Sequence, residues 1–246
     1  MDEFTLGQLI DHETALSILE NHWQTVCYLF LSKDEIDVLH ASQWITEDDF
    51  KAISAAGLNH VRYILISSFA FTGIYLFIRS MSNHNSIPIG YWSIPLTSSD
   101  TNTSTSIAPY IPGAWSYLLQ ALTWARTYSL HVILDLHGAP GSQNGYDNSG
   151  QRTSNPIWGV TPDNITRTID TLVFLAKNVG GMIDVIELVN EPAGFYGSNW
   201  AAAIRQFWLD GYGAVRQAVG AGIKIMIGDA FLTVDVSCFI FYLGVT

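Results

Sequence analysis

Apolar positions along this chain follow two alternating rhythms: a helical spacing of three and four, and short uninterrupted runs rich in Val, Ile and Leu. Thr46 with Asp49 reads as a capping box. The helix it opens carries Phe50 and Ile53 inward, and Gly57 can close it before Asn59, His60, Val61 and Arg62 extend as a strand. Pro112 opens a helix aiming Leu118, Leu122 and Ala125 at a core, followed by a strand over 131–136. Thr161 and Pro162 start another, with Ile165, Ile169, Leu172, Val173 and Ala176 on one stripe. Val185, Ile186, Leu188 and Val189 then read as a strand buried on both faces. Ser198 is placed as the cap of a helix that buries Ile204, Phe207, Trp208 and Val215, and a strand over 223–227 follows. Four strands alternating with helices of this length predict a parallel sheet covered on both faces, either doubly wound or closed as a barrel.

The strand before Pro192 carries the most information. Proline cannot donate to a ladder, so the strand must stop and Glu191 leaves the apolar wall at its carboxyl end. Parallel sheets place their chemistry on that rim. A carboxyl group half inside such a wall is expected to have a raised pKa, because desolvation disfavours its charged form. A general acid needs that near neutral pH. The plainer alternative is a Glu that caps the next helix.

Composition narrows the picture. The 246 residues, 48% hydrophobic, suffice for one core and predict a single domain. A formal charge of −11 argues against nucleic acid and anionic membrane surfaces, which need clustered Lys and Arg, but leaves neutral substrates open. Eight Trp and eleven Tyr suit either an ordinary core or a sugar cleft, where aromatic faces stack on C–H surfaces. Cys27 and Cys238 are too few for a disulfide framework and lack metal-ligand spacing. Asn102-Thr103-Ser104 and Asn164-Ile165-Thr166 are glycosylation sequons, compatible with secretion, although polar sequence follows Met1 where a signal peptide would be apolar.

Three stretches break the alternation: 26–43, 63–86 and the apolar tail 236–246. Residues 63–78 lack a polar face. A membrane span is one reading, but the run is shorter than the ~20 residues a bilayer core needs, and Ser67, Ser68, Thr72 and Gly73 dilute it.

Outside those stretches the chain carries long motifs. They are His22-Trp23-Gln24-Thr25, Trp44 to Phe50, Gly57 to Arg62, Ile87 to Trp92, Asp135-Leu136-His137-Gly138-Ala139-Pro140-Gly141-Ser142-Gln143-Asn144-Gly145 on to Gly150, and Glu187 to Pro192. With these motifs the chain resembles glycoside hydrolase family 5, specifically its fungal exo-β-1,3-glucanase branch, truncated at both ends. The resemblance implies an incomplete (β/α)8 TIM barrel, about the first half with the first strand missing, in a retaining hydrolase of β-1,3-glucan. It implies that Glu191 is the acid/base and that Asn190 holds the sugar 2-hydroxyl and the nucleophile. Arg62 matches the arginine orienting the nucleophilic carboxylate, His137 a histidine lining the glucose subsite, and Tyr146 and Asp147 an aromatic wall and a cleft carboxylate. Each has a structural alternative: His137 could bond the glycine-rich loop, Arg62 could pair with Glu187 or Asp135, and Tyr146 could pack within its loop. Asp135 is read as structural, facing away from His137. Neither cofactor nor metal is required. The expected partner is a β-glucan or oligosaccharide, with no membrane, and the protein is expected to be a monomer, extracellular or in the cell wall.

Retaining hydrolysis needs two carboxyl groups roughly 5–5.5 Å apart. The family's nucleophilic Glu comes from a late strand, and no strand-like segment ending in Glu follows Ile227, so this chain is expected to be catalytically incomplete. Deleting 26–43 joins Thr25 to Trp44, and deleting 63–86 joins Arg62 to Ile87; both products are continuous family motifs. The flanking residues permit GT and AG codon boundaries, which suggests translated introns. Two rivals remain. His137 to Gly141 resembles the oxyanion loop of an α/β-hydrolase, but the G-x-S-x-G elbow that reading needs is missing. A non-catalytic glucan-binding barrel remnant, membrane-tethered if 63–78 inserts, is the other.

Overall fold

The computed structural model describes residues 3–23, 47–57, 60–61 and 86–232. Among the described residues, six α-helices run over Glu3–Leu9 (α1), His12–Trp23 (α2), Glu47–Ala55 (α3), Ala114–Thr127 (α4), Pro162–Val179 (α5) and Ser198–Val219 (α6). Five described strands, His60–Val61 (β1), Ser86–Gly90 (β2), His131–Gly138 (β3), Val185–Glu187 (β4) and Lys224–Met226 (β5), form one sheet in which each pairing among the described residues is parallel. The βαβ alternation predicted from periodicity is therefore present. Arg62 and the stretches 26–43 and 236–246 lie outside the described residues, as do all of 63–86 except Ser86, the first residue of β2. No described helix is long and apolar enough to cross a membrane.

β3 is the axis of the arrangement. Val132, Leu134 and Leu136 are buried in the main apolar cluster with Leu118, Leu122 and Ala125 of α4, Leu172, Leu175 and Ala176 of α5, and Ile204, Phe207 and Trp208 of α6. Alternation sends Ile133, Asp135 and His137 to the opposite face. Every interior residue of β3 from Val132 to Leu136 is buried, the pattern of a strand covered on both sides. The expected core positions of α4 and α6 are all buried. On α5 the stripe is rotated: Thr168, Thr171, Leu172, Leu175, Ala176 and Val179 face inward, and Val173 does not. The buried Thr168 hydroxyl accepts from Trp158 Nε1 at 3.0 Å and donates to the Asn164 carbonyl at 2.6 Å, a contact that periodicity of apolar residues cannot register.

Several boundaries differ from the sequence expectation: α4 begins at Ala114 after Gly113 and not at Pro112, and β3 runs on to Gly138. Helix α6 starts at Ser198 itself after Gly197, with no side-chain cap, so Ser198 is its first residue and not its cap. The third predicted strand is regular only as far as Glu187, yet its bonding continues: the Leu188 N–H donates to the Met226 carbonyl at 3.1 Å and the Asn190 N–H to the Leu136 carbonyl at 2.9 Å. Asn190 is thus held at the level of the end of β3.

Below that rim, Trp92 is threaded between three glycines. A Cβ at Gly90, Gly138 or Gly150 would come within 2.4, 2.5 and 2.0 Å of its ring atoms. The ring stacks on Tyr110 at a centroid distance of 4.0 Å and meets Tyr91 edge-on at 5.3 Å. Arg167 of α5, itself buried, lies 4.7 Å over the Tyr91 ring and donates to the Ser106 carbonyl at 2.6 Å, so its charge faces a carbonyl and a ring. Gly150 additionally has φ +81°, a left-handed conformation. Gly150→Ala is expected to cost roughly 1–2 kcal/mol for the backbone and ~1–3 kcal/mol more for displacing the indole. An unchanged urea midpoint would show that Trp92 does not depend on this slot.

Candidate active site

The carboxyl ends of β3 and β4 bring together His137, Asn190 and Glu191. Asp135 joins them, which corrects the sequence reading that placed it on the face opposite His137. Residues two apart on a strand share a face. The Asp135 Oδ2 lies 2.7 Å from His137 Nδ1 with the Asp135 side chain fully buried. A carboxylate can only accept, so Nδ1 carries a proton, and in the neutral imidazole Nε2 is left as an acceptor. Nε2 is 3.5 Å from Asn190 Nδ2, at the outer limit of a hydrogen bond, which leaves room for a better donor such as a sugar hydroxyl.

One buried side chain ties the two strand ends together. Gln143, fully buried, accepts from the Ala139 N–H at 3.0 Å through Oε1, and its Nε2 donates to the carbonyls of His137 at 2.7 Å and Asn190 at 3.0 Å. Its own carbonyl accepts from the Ala193 N–H at 3.0 Å. Asn144, also buried, donates from Nδ2 to the Glu191 carbonyl at 3.2 Å and to Asn148 Oδ1 at 3.1 Å. Asn148 in turn donates to Glu191 Oε2 at 2.7 Å. Glu191 has φ +45°, a left-handed conformation costly for a residue with a Cβ, and these backbone bonds hold it there. The turn swings its side chain out of the strand.

Glu191 is exposed. The desolvation expected from its apolar flank is therefore not what characterises its surroundings, because the left-handed turn carries the carboxylate clear of the wall. Asn190 is buried. Tyr146 is 52% exposed and available as a stacking face, with its N–H bonded to Asn144 Oδ1 at 2.9 Å. Asp147 heads the short turn Asp147–Ser149 and lies 3.7 Å from Arg152 Nη1 at the surface. Gln143, Asn144 and Asn148 were not singled out in the sequence, since polar residues in a glycine-rich loop look like solvent-facing turn formers. Among the described residues, no group of three or more His, Cys, Asp or Glu side chains is placed to hold a metal ion.

Solved structures of the same architecture align with this one. A rutinosidase from Aspergillus niger aligns with TM-score 0.56 at 17% identity, over 78% of this chain and 49% of its own. A second glycoside hydrolase aligns with TM-score 0.52 at 16% identity, over 90% and 56%. No family model matches the chain. The sheet with its rim of His137, Asn190 and Glu191 thus has the fold of part of a (β/α)8 barrel. Sequence narrows the class. The chain is 36% identical over 94% of its length to a glucan 1,3-beta-glucosidase of Blumeria graminis, and 37% identical over 88% to glucan 1,3-beta-glucosidase 2 of Wickerhamomyces anomalus. A probable glucan 1,3-beta-glucosidase A of Aspergillus fumigatus is 33% identical over 96%. By sequence the chain is thus a relative of the glucan 1,3-beta-glucosidases. It spans 42–44% of the length of these three relatives.

Two substitutions test the geometry. Asp135→Asn should shift His137 toward the other tautomer, read from its ring 15N shifts, because an amide can present a donor to Nδ1; identical shifts would mean that Asp135 does not set the ring. Gln143→Ala leaves three buried backbone groups without partners, and a loss of about 2–5 kcal/mol is expected in urea unfolding.

Proposed function

We propose that this chain carries the sugar-binding floor and the general acid/base of a retaining β-1,3-glucan hydrolase. The observation that supports the reading most is the placement of Glu191, swung out on a left-handed turn and held by Asn148 beside Asn190 and His137. A carboxyl group there can protonate the leaving glycosidic oxygen and later take a proton from water. His137, with Nδ1 engaged by Asp135, offers Nε2 to a sugar hydroxyl, and the Asn190 amide adds a donor on the same side. Tyr146 supplies an exposed ring for a pyranose face and Asp147 a carboxylate for hydroxyl contacts. Arg62 is proposed to orient the second carboxylate through charge-assisted hydrogen bonds. The names of the relatives support β-1,3-glucan as the substrate, and an extracellular or cell-wall site of action is proposed with it.

The second carboxyl group decides between catalysis and binding. No glutamate follows Glu191 in this sequence. Without a nucleophile no glycosyl-enzyme can form, so the chain by itself is proposed to bind glucan without turning it over. That favours a glucan-binding remnant as the second reading for the isolated chain. Titration with laminari-oligosaccharides is expected to give binding that His137→Ala weakens roughly tenfold, equivalent to one hydrogen bond of about 1.4 kcal/mol. Laminarin and aryl β-glucosides should release no sugar. Turnover that disappears in Glu191→Gln would instead show that another carboxylate, such as Asp147, completes the pair. Absence of any oligosaccharide binding would remove the glucan reading.

A further inference from the structure

The sequons Asn102-Thr103-Ser104 and Asn164-Ile165-Thr166 take no part in the sugar site. As sequence the two are equivalent, but the fold treats them differently. Asn102 lies between β2 and α4 on a segment without regular structure, and both Asn102 and Ser104 are exposed. Other residues bond this loop. The Asp100 N–H donates to the Thr97 carbonyl at 2.9 Å, the Thr101 and Thr103 hydroxyls lie 2.8 Å apart, the Ser106 N–H donates to Ser104 Oγ at 3.2 Å, and Arg167 Nη1 donates to the Ser106 carbonyl at 2.6 Å. None of these bonds uses the Asn102 side chain. The loop is thus pinned on both sides of an amide that stands in solvent.

Asn164 sits in the first turn of α5 and is half-buried. Its N–H donates to the Thr161 carbonyl at 3.0 Å, and its carbonyl accepts from the Thr168 hydroxyl at 2.6 Å. A Cβ at Gly141 would meet Asn164 Nδ2 at 2.5 Å and Ile157 Cγ1 at 2.7 Å, so the amide lies directly on the glycine-rich loop that carries Gln143 and Asn144. Thr166 is exposed, and residues two apart on a helix do not face each other, so amide and hydroxyl are not presented together.

We infer that Asn102 is an N-glycosylation site and that Asn164 is not one in the folded protein. The donor is an oligosaccharide joined to a polyisoprenoid lipid through a diphosphate. Asn102 Nδ2 gives up one proton to a base of the transferring enzyme and bonds the anomeric carbon, while the bond from that carbon to the diphosphate oxygen breaks and the lipid diphosphate departs with its electron pair. Transfer can precede folding, and the fold then acts as a selection. A glycan on Asn102 extends into water, as a bulky hydrophilic group requires. One on Asn164 would take the space where Gly141 and Ile157 pack and would hold Gln143 away from the ends of β3 and β4. The inference rests on the proposed extracellular site of action.

The test directs the full chain into the secretory route of a yeast with a cleavable leader, so that entry does not depend on where the natural protein acts. Enzymatic glycan release in heavy-oxygen water converts each occupied Asn to a mass-tagged Asp, read on peptides. Asn102 should be tagged in most imported chains, and Asn102→Gln or Ser104→Ala should abolish the tag. An untagged Asn102 overturns the inference and leaves the extracellular and glucan-binding readings standing. Asn164 should be untagged in protease-resistant chains; a tag there as frequent as at Asn102 overturns the selection. A second measurement needs no secretion. In a Cys27→Ser, Cys238→Ser background, Asn102→Cys or Asn164→Cys is coupled to a thiol-reactive oligosaccharide. The melting temperature should be unchanged by the adduct at 102 and lowered by several degrees at 164. Equal shifts at the two positions overturn the selection.

Discussion

The site depends on one amide. Gln143 is buried between the ends of β3 and β4, where two main-chain carbonyls and one N–H have left their ladders. Burying such groups without partners is expensive, and a single carboxamide has the complementary set: one acceptor and two donors. Its bonds to His137 and Asn190 hold the sugar-facing residues of the two strands in one frame. Asn144 extends that frame by a residue to the Glu191 carbonyl, and Asn148 reaches the carboxylate itself. The strained turn at Glu191 persists because these bonds over-determine it.

Beneath the rim, packing rather than hydrogen bonding sets the geometry. Three glycines from β2, β3 and the loop after Asp147 make room for Trp92, so the loop bearing Tyr146, Asp147 and Asn148 is seated directly on an indole ring. The contact explains why glycine recurs where these segments meet. A methyl group at any of the three positions would push the loop or the ring away, and Asn148 with it. The even-numbered residues of β3 anchor this arrangement in the apolar cluster, and its odd-numbered residues present Asp135 and His137 to the other side.

Much of this was legible in the sequence, for reasons that are local. Helices α4, α5 and α6 announce themselves through amphipathic spacing, and β3 and β4 through apolar runs too long and too uniform for a half-exposed strand. Pro192 marks the end of a ladder, and hence Glu191, because proline has no N–H whatever surrounds it. The His137 loop and the Asn190-Glu191-Pro192 turn, taken as motifs, pointed to the glucan 1,3-beta-glucosidases, of which the chain is a relative. Arithmetic along one strand also contained the Asp135–His137 pair. Strict alternation places them on one face, and only a misapplied parity hid the contact.

What the tertiary structure decided is everything that passes between segments distant in sequence. Gln143 and Asn190 are 47 positions apart, as are Asn144 and Glu191, and no local pattern distinguishes a buried carboxamide that clamps two strands from one that decorates a turn. The exposure of Glu191 follows from a backbone angle held by those long-range bonds, whereas its apolar neighbours had suggested burial. Register belongs to the same kind of information: that β1 and β2 meet successive rungs of β3 is a property of pairing in space. Periodicity and backbone chemistry are carried by each residue and its near neighbours, so the chain alone specified the elements and their order. Hydrogen bonds across strand ends and the choice of rung exist only once the sheet has assembled, and there the functional geometry was set.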